Sequence, residues 1–404
     1  MKVTKVEIFD INVEPMPMWH PVIIRVHTDE GITGLGEVGL AYGTGHTAGA
    51  GMVKNLAENF VLGADPFKSE KLWDTMFRSS FWAQGGGPVV YGGMSAIDIA
   101  MWDIKGKAMG VPIYQLLGGK TNDQLRTYAS QIQFDWDKEW RMLGSPEEYA
   151  EAARKAVAEG YDCVKIDPIM LDEKGNRTTD LRKIFRHDKL QMYYERVKAV
   201  RDAVGPDVDI ILEVHSHPSA TTGIQLGRIW EDLNCMYYEE AVHYNNVGLQ
   251  EKVTGNVRIP MAAGERLYTR WGYRPYFEKQ LLDVIQPDLC LVGGITEGKK
   301  ICDYANIYDI HVQVHVCGSP ISTAAALQLR VVHAGLPAGE RYVHYAGPAW
   351  IGARAERRDR VPFAPRGGQV GYTSISIPKG QWSEPMTSGR MKARLIAESR
   401  SALT

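Results

Sequence analysis

Three glutamates recur at equal intervals in the middle of the chain, and each closes a short apolar run. Glu213 and Glu239 are 26 residues apart, and so are Glu239 and Glu265. Ionised carboxylates that come close together repel one another, and proteins tolerate such a cluster when a cation lies among them. Because all three donors are hard oxygens, the set favours Mg²⁺ over Zn²⁺, with positions left for water and substrate.

Two more side chains are candidates for moving a proton. Lys165 lies in "YDCVKIDP", and a divalent cation in front of it would lower its pKa towards that of a general base. His315 lies in "VQVHV", one apolar run after Asp288. A carboxylate that accepts a hydrogen bond from the far ring nitrogen fixes the tautomer of a catalytic histidine. We therefore expect the base to be Lys165 or His315, the latter with Asp288 behind it.

The stretch "IILEVHSHP", residues 210–218, places two histidines after the first glutamate. In a strand, alternate residues lie on the same face, so His215 is expected to point in the same direction as Glu213. His217 lies one step further out, and we assign it to the structure of the loop rather than to the substrate.

These residues require elements that bring their side chains to one place. From about residue 125, short apolar runs alternate with amphipathic stretches eight times, which is typical of a parallel α/β architecture. Eight units predict a (β/α) barrel, whose active sites lie at the carboxyl ends of the strands. Helical patterns cover residues 146–159, 190–204, 223–232, 295–307 and 322–333.

The N-terminal part of the chain has a different pattern, typical of an α+β domain. Two strand-like runs are joined by a hairpin tip at residues 29–31, and helical patterns follow at residues 47–61 and 68–77. A further helix is predicted with Ser95 as its N-cap and Gly110 as its stop. The predicted domains are residues 1–124 for the α+β domain, 125–345 for the barrel and 346–404 for a C-terminal segment.

Bulk properties exclude several classes of function. The 404 residues carry a formal net charge of −2 and a hydrophobic content of 44%, as in globular proteins with more than one ordinary core. The chain has no basic arm, so nucleic acid is not an expected partner, and no apolar run is long enough for a membrane helix. Five widely spaced cysteines fit reduced thiols, and we expect a cytoplasmic protein.

As a set, these residues resemble the enolase superfamily, specifically its mandelate racemase-like branch, over residues 1 to about 335. "MSAIDIAMWDIKGKAMGVPIYQLLGG" is similar to a helix and turn of that family. The residues that match the family's metal ligands and bases are Glu213, Glu239 in "YYEEA", Glu265 in "AAGER", Lys165, and the pair Asp288 and His315. The resemblance implies a (β/α)7β TIM-like barrel with an N-terminal α+β capping domain, bound Mg²⁺ and a homo-oligomer.

The resemblance also implies a reaction, in which the proton α to a carboxylate is removed. A histidine two residues after the first ligand, here His215, is similar to mannonate and galactonate dehydratases, where it would protonate the leaving β-hydroxyl. The expected substrate is therefore a small-molecule acid sugar and the product a 2-keto-3-deoxy acid. One alternative is a racemase or epimerase, with Lys165 and His315 on opposite faces of the substrate.

The sequence departs from the family pattern at four places, and one of them, the missing glutamate of the eighth strand, favours a second alternative, a catalytically impaired homologue that binds acid sugars. Cys163 stands where the family has a paired lysine, and Ala241 where a proline often follows the acid pair. Tyr345 stands where a glutamate usually ends the eighth strand, and Glu340 is five residues too early to replace it. Beyond Gly335 the sequence no longer resembles the family's tail, although we expect this segment to return to the capping domain.

Candidate substrate contacts come from three parts of the chain. Cap loops of this family cover the barrel mouth, and Arg270 could pair with a carboxylate through its two guanidinium donors. Polar residues of the first strand could bind hydroxyl groups. The candidates are His20, Tyr42 and His46 in the cap loops, Arg270 after the third ligand, and Gln131 and Gln133 at the first strand. Packing or lid roles are assigned to Trp136 and Trp140.

Two further stretches leave alternatives to resolve. Residues 34–39, "GLGEVG", match the dinucleotide-binding pattern G-x-G-x-x-G, but they close an antiparallel hairpin rather than join a parallel strand to a helix, so we do not expect NAD binding. The polar insert at residues 170–188 is either a solvated loop or a flap near the site.

Overall fold

Two sheets organise the chain in the structure, a computed structural model. It describes residues 1–13, 18–123, 125–137, 141–333, 345–346 and 370–377. Trp140, Glu340 and most of the predicted C-terminal segment lie outside these described residues. Among the described residues, no helix is both long enough and apolar enough to cross a membrane.

The first sheet belongs to the N-terminal domain and contains three antiparallel strands and one parallel strand. The antiparallel strands are β1 (Val3–Val13), β2 (Val22–Thr28) and β3 (Thr33–Val38). The predicted hairpin tip between β2 and β3 is confirmed, since Gly31 has a left-handed φ of 78° and donates to Thr28 O at 3.2 Å. A late strand, residues Val370–Ile377, pairs in parallel with β1 and completes the sheet.

Four helices follow the antiparallel strands in the chain. They are α1 (His46–Leu56), which runs on as a π-helical turn to Val61, α2 (Ser69–Ser79), α3 (Pro88–Met109) and α4 (Ile113–Leu116). Among them, α1 and α3 pack against the sheet. Short 3-10 turns at Pro66–Lys68 and Phe81–Gly85 connect them. Gly110 ends α3 in the left-handed conformation, as predicted. The prediction that Ser95 is the N-cap of this helix is wrong, because α3 begins at Pro88 with Gly87 as its N-cap and Ser95 is buried in its interior.

The glycines of residues 34–39 allow β3 to lie directly on α3. A Cβ atom on Gly34 would collide with the carbonyl oxygen of Ala100, and one on Gly36 with that of Ala96. The glycines of the pattern G-x-G-x-x-G therefore serve the close approach of a strand and a helix here.

The second sheet contains eight strands, and every neighbouring pair in it is parallel. Its strands are β4 (Tyr128–Ala129), β5 (Cys163–Ile166), β6 (Asp209–Glu213), β7 (Tyr237–Glu239), β8 (Met261–Ala263), β9 (Val284–Ile285), β10 (His311–Val312) and β11 (Tyr345–Ala346). The strand Val370–Ile377 is β12. Because β11, the eighth strand, pairs with β4, the first, the sheet curls, which confirms the predicted TIM-like barrel.

Seven helices follow the strands of this sheet. They are α5 (Pro146–Ala158), α6 (His187–Val204), α7 (Ala220–Trp230), α8 (Val247–Thr254), α9 (Thr269–Glu278), α10 (Gly294–Asn306) and α11 (Pro320–Arg330). Short 3-10 turns lie at Ile132–Phe134 and Glu231–Leu233. The five predicted helical stretches are confirmed to within a few residues. Ser145 and Glu148 form a capping box at the start of α5, a local signal that fixes its first turn.

The inside of the barrel is layered, and the layers position the site. An apolar layer made by Tyr128, Cys163, Ile211, Tyr237, Ala262 and Val284 fills the interior. Two residues further along β5, β6 and β7, the same inward face carries Lys165, Glu213 and Glu239. The charged residues therefore lie directly above a packed apolar floor, at the carboxyl ends of the strands.

Candidate active site

The structure brings the three equally spaced glutamates together at the barrel mouth. Glu213 ends β6 and is paired in register with Glu239 at the end of β7, and Glu265 follows β8 after one glycine. Each offers a carboxylate oxygen, and these three atoms lie within 4.8 Å of one another. Three buried hard donors at this spacing fit the ligand preference of Mg²⁺.

The charges within the cluster shift the pKa values of Glu239 and Glu213 in opposite directions. Burial, and then the charge of Glu213, raise the pKa of Glu239 well above its ordinary value. Burial also opposes ionisation of Glu213, but the positive charges of His215 and Lys165 outweigh it and lower the pKa of that carboxyl. A cation among the carboxylates would relieve this repulsion, which is a second reason that the donor set fits a divalent metal.

Lys165 lies between two of the glutamates rather than apart from them. Its Nζ is 2.9 Å from Glu213 Oε2 and 3.0 Å from Glu239 Oε1. Burial lowers the pKa of Lys165, but the carboxylate of Glu239 and other nearby groups outweigh it and raise the pKa well above its ordinary value. The role of Lys165 as a base stays a prediction, and its ion pairs favour the other candidate, His315.

His315 and Asp288 lie side by side, as a bridge in register between two parallel strand ends. His315 Nδ1 is 2.8 Å from Asp288 Oδ2, and the other ring nitrogen, Nε2, is 3.1 Å from Glu265 Oε2. Burial lowers the pKa of His315, but Glu265 and Asp288 outweigh it and raise the pKa to about 9. The ring thus has one nitrogen held by a carboxylate and the other directed at the glutamate cluster.

His215 reaches the site by a turn and not by a continued strand. β6 ends at Glu213, and His215 has a left-handed φ of 47°, so the expectation that both residues share one strand face is wrong. The turn is held because the backbone N–H of His215 donates to Glu213 Oε1 at 3.0 Å. The hydrogen bond from the backbone of His215 to the carboxylate of Glu213 therefore keeps the two residues close to each other in the turn.

Asp167, which was not among the predicted site residues, orients the ring of His215. Its Oδ2 is 2.7 Å from His215 Nδ1. Burial lowers the pKa of His215, but Glu213 and Asp167 outweigh it and raise the pKa to about 10. A signal for Asp167 was present in "VKIDP", where an acid follows Lys165 by two residues and so shares its side of the strand end.

Arg266 and Glu240 also belong to the site without having been predicted. Arg266 Nη2 is 3.1 Å from Glu265 Oε1, and Nη1 is 3.0 Å from Glu240 Oε2. The same Nη1 donates to the carbonyl oxygen of His215 at 3.0 Å. One guanidinium therefore connects the turns that follow three consecutive strands.

The predicted contact residues at the third ligand and the first strand already have protein partners. Arg270 Nε is 2.9 Å from Glu297 Oε1, so its guanidinium is paired with a carboxylate of the protein. Gln131 Oε1 accepts a hydrogen bond from Gln133 Nε2 at 2.6 Å, and Gln133 Oε1 accepts one from the Asp167 N–H at 3.1 Å. Roles for these side chains in substrate binding stay predictions.

The two cap loops join each other above the strand ends. His20 N donates to Ala41 O at 2.6 Å, and the ring of His20 stacks on His46 with 4.1 Å between centroids. Arg177, in the polar insert after β5, donates to the hydroxyl of Tyr42 at 2.9 Å. The same cap loop begins beside β9, where Gly39 N donates to Cys290 O at 2.9 Å.

The course of this loop places it over the barrel mouth. β5 and β9 are the second and sixth of the eight strands in chain order, so they lie on opposite sides of the curled sheet. A loop that starts at β9 and contacts the insert after β5 must cross the mouth. His20 and Tyr42 therefore lie on the part of the capping domain that faces the site, and their contact with substrate stays a prediction. Residues 14–17 of the first cap loop lie outside the described residues.

The polar insert is fixed at its root and in contact with the cap. Buried Arg196 of α6 donates to the carbonyl oxygens of Pro168, Leu171 and Asp172. Together with the contact between Arg177 and Tyr42, this favours the interpretation as a flap near the site over a freely solvated loop. Trp136 packs against Tyr161, with ring centroids 5.5 Å apart, which fits the packing role assigned to it.

The curled parallel sheet, the N-terminal sheet domain and the carboxylates at three consecutive strand ends define the enolase superfamily. The chain belongs to this family: residues 148–373 match the family described as enolase C-terminal domain-like, and residues 4–118 match the N-terminal domain of mandelate racemase and muconate lactonizing enzyme. The resemblance inferred from the sequence is thereby confirmed.

Named relatives point to one class of reaction. A D-galactonate dehydratase of Variovorax paradoxus is 32% identical over 85% of this chain and 83% of its own length. A D-gluconate dehydratase of Thermoproteus tenax is 30% identical over 89% of this chain and 67% of its own. A solved structure of an enolase superfamily member from Salmonella Typhimurium is 50% identical, with a TM-score of 0.81 over 85% of this chain and 87% of that one.

Proposed function

We propose that this protein is a Mg²⁺-dependent dehydratase of acid sugars. It removes the proton α to the substrate's carboxylate and eliminates the β-hydroxyl, which gives a 2-keto-3-deoxy sugar acid. The observation that carries the proposal is the presence of two histidines, each bonded through Nδ1 to its own carboxylate, beside one cluster of three glutamates. The dehydratase names of the relatives support the same reaction class.

Glu213, Glu239 and Glu265 would hold the Mg²⁺. When bound, the ion supplies positive charge that acidifies the α carbon and stabilises the negative charge that develops on the substrate's carboxylate. Lys165 and Arg266 add two fixed positive charges that already contact these glutamates. The chain thus supplies both the ligands and a positively charged surrounding for a doubly negative intermediate.

His315 is the residue we assign as the base. Asp288 accepts the hydrogen bond from Nδ1, which leaves Nε2 as the nitrogen that takes the α proton. The negative charge of Glu265 is a main cause of the pKa of about 9, so any group that takes up that charge lowers the pKa towards the working range of a base.

His215 is the residue we assign as the acid. Its Nδ1 is bonded to Asp167, and Glu213 and Asp167 raise its pKa to about 10. Asp167 is not a proposed metal ligand, so it continues to favour the imidazolium when a cation takes up the charge of Glu213. A proton donor to a leaving hydroxyl must be in this state before the carbon–oxygen bond breaks. Base and acid therefore differ in position and in their carboxylate partner, as elimination requires.

The racemase alternative requires a second base on the opposite face of the substrate. Lys165 is the candidate, but its ammonium is bonded to Glu213 and Glu239 and its pKa is raised. Glu213 and Glu239 are proposed metal ligands, so a bound cation would lower the pKa of Lys165 as it would that of His315, and the D₂O experiment separates the two reactions. The alternative of an impaired homologue that only binds acid sugars rests on Tyr345, which stands at the position of the family's usual glutamate. The library experiment below separates it from the two reactions.

A library of aldonic and aldaric acids, incubated with the protein and Mg²⁺ in D₂O, tests the proposal. We expect Mg²⁺-dependent formation of a 2-keto acid from at least one compound, and loss of turnover on chelation. Glu239→Gln is the matched control, since it should lose both turnover and Mg²⁺ binding measured by titration calorimetry. Deuterium exchange at the α carbon without elimination would establish the racemase, and tight binding with neither reaction would establish the impaired homologue.

A further inference from the structure

Residues 34–39 also contact the barrel, through Glu37 and Gly39. Gly34 and Gly36 face α3, and the alternate positions, Glu37 and then Gly39, face the barrel. β3 is an edge strand of its sheet and contacts α11 of the barrel directly. Both of these residues contact segments that carry the proposed catalytic pair.

Glu37 is a fully buried carboxylate that binds the start of α11. It accepts hydrogen bonds from the Ser319 N–H at 2.7 Å, the Ser319 hydroxyl at 2.6 Å and the Ser322 N–H at 3.0 Å. The first N–H groups of a helix have no partner within the helix, and a carboxylate is favoured there. A residue of the capping domain thus completes the N-terminus of a barrel helix.

The helix start that Glu37 holds is joined to the proposed base by a short connection. Ser319 follows His315 by four residues. Within this connection, Gly318 lies so close to Glu37 that an added Cβ would be 2.8 Å from Glu37 Oε1. The position of the carboxylate therefore determines where the chain leaves the strand end that carries His315.

Gly39 bonds to the segment that carries Asp288, the partner of His315. Its N–H donates to Cys290 O at 2.9 Å, and the Cys290 N–H in turn donates to Asp288 Oδ1 at 2.8 Å. Asp288 accepts from His315 through its other oxygen, Oδ2. One strand of the capping domain is thereby bonded to the segments of both His315 and Asp288.

We propose that Glu37 is a positioning residue: through β3, the capping domain sets the placement of His315 against Asp288. The kinetic consequence rests on the proposed function, because it requires His315 to be the base. The structural consequence, the geometry of the bond between His315 and Asp288, does not depend on any activity.

Asp98 offers a matched control, because replacing it weakens the contact between the capping domain and the barrel at another place. It is also a buried carboxylate of the capping domain, and it accepts from the N–H and the hydroxyl of Thr296 in the first turn of α10. This helix begins after the segment that holds Asp288, and among the described residues no hydrogen bond joins it to the connection after His315. Asp98→Asn should therefore weaken docking without moving the imidazole.

The experiment compares Glu37→Gln, Ser319→Ala and Asp98→Asn by thermal unfolding, steady-state kinetics and ¹⁵N NMR of the histidine rings. We expect Glu37→Gln to lower kcat roughly 10- to 100-fold with KM within about twofold, as for a displaced catalytic group. Ser319→Ala, which removes one of the three bonds and also the cap that the Ser319 hydroxyl provides for the Ile321 N–H, should give a smaller loss in the same direction. Asp98→Asn should lower the melting temperature comparably while kcat stays near the wild-type value.

The NMR measurement tests whether Glu37 positions His315 and does not depend on turnover. The Nδ1–H signal of His315, assigned by its loss in His315→Asn, should shift or broaden in Glu37→Gln and stay in place in Asp98→Asn. An unchanged signal, or equal kcat losses in the two variants, would show that Glu37 only docks the domains. If the wild-type protein converts no acid sugar, the proposed function fails while the NMR result still tests Glu37. Should Glu37→Gln fail to fold, Ser319→Ala carries the same comparison.

Discussion

At the scale of the residue, the two histidines of the site are distinguished by the carboxylates that hold them. Asp288 and Asp167 each bind an Nδ1, at 2.8 Å for His315 and 2.7 Å for His215. Such a bond fixes the tautomer and leaves Nε2 for the substrate, so both rings are prepared for proton transfer. Their different positions around the glutamate cluster then allow one ring to take a proton and the other to give one.

His315→Asn is expected to remove catalysis without unfolding the protein. Asparagine can still bond to Asp288 but cannot take a proton, so kcat should fall about 10³-fold, within the range typical of a lost general base. Deuterium exchange at the α carbon should be lost together with elimination. The control is His311→Asn, in β10 four residues before His315, which should leave kcat unchanged. Normal turnover by His315→Asn would remove the assignment of the His315–Asp288 pair.

Residue types and spacing predicted those members of the site whose positions follow from the barrel alone. Glu213 and Glu239 end consecutive strands, and His315 pairs in register with Asp288 beyond the ends of β10 and β9, so the architecture brings them together. The spacing of Asp167 from Lys165 indicated its side of the strand end, but its partner and that of Arg266 could not be assigned from sequence, because both are met in the turns beyond the strands. A lone acid or arginine in a loop carries no signal of its partner.

At the scale of the element, the contact between β3 and α3 depends on the absence of side chains. A Cβ on Gly36 would collide with the backbone of Ala96, which cannot move away easily because it is part of a helix. Gly36→Ala should therefore destabilise the protein by about 1–3 kcal/mol, the usual range for overpacking. Chemical denaturation with a constant m-value is the measurement.

Gly51→Ala is the matched control for that substitution. Gly51 lies in α1, and an added Cβ would meet nothing within 4 Å. Alanine is the better helix former, so this variant should be stabilised by roughly 0.5–1 kcal/mol. Equal effects of the two substitutions would show that close packing on α3 does not limit Gly36.

Element types were predicted well and element boundaries less so, for a physical reason visible in α3. The sequence before Ser95 contains Gly92 and Gly93, which are unfavourable inside an isolated helix. In the structure both are required by close neighbours, since an added Cβ would be 3.0 Å from Val38 on one side and 2.9 Å from Met52 on the other. Tertiary packing thus extends the helix back to Pro88, which local propensity could not indicate.

At the scale of the whole molecule, buried carboxylates join the capping domain to the barrel. Burial raises the pKa of Glu37 from 4.5 to about 7 and that of Asp98 from 3.8 to about 6. Between pH 4.5 and 7 the folded protein therefore keeps a proton on Glu37 that the unfolded chain has released. Stability from this group is fully present below pH 4.5 and is lost as the pH rises through 7.

Glutamine in place of Glu37 does not titrate, so the stability difference between the wild type and Glu37→Gln follows the titration of Glu37 alone. The stability of the wild type relative to Glu37→Gln should be greatest near pH 4.5 and should fall, by on the order of 3 kcal/mol, towards pH 8. Unfolding measured across this range at constant ionic strength is the test. A difference that stays constant with pH would contradict the raised pKa of Glu37.

The two ends of the described chain meet in one sheet, which sequence patterns indicated only in outline. β12 pairs in parallel with β1 over eight residues of each strand. Pairing between segments so far apart in sequence is decided by the register of both strands and not by the pattern of either one. A return of the C-terminal segment to the cap was expected from the resemblance, whereas its register could not be.

Turnover in D₂O by His215→Asn tests the central claim most directly, since the claim separates proton abstraction from loss of the hydroxyl. With an acid-sugar substrate and Mg²⁺, this variant should still exchange the α proton for deuterium through His315 while formation of the 2-keto acid falls by about 10²- to 10⁴-fold. Undiminished formation of the 2-keto acid, or loss of exchange and elimination to the same degree, would contradict the account.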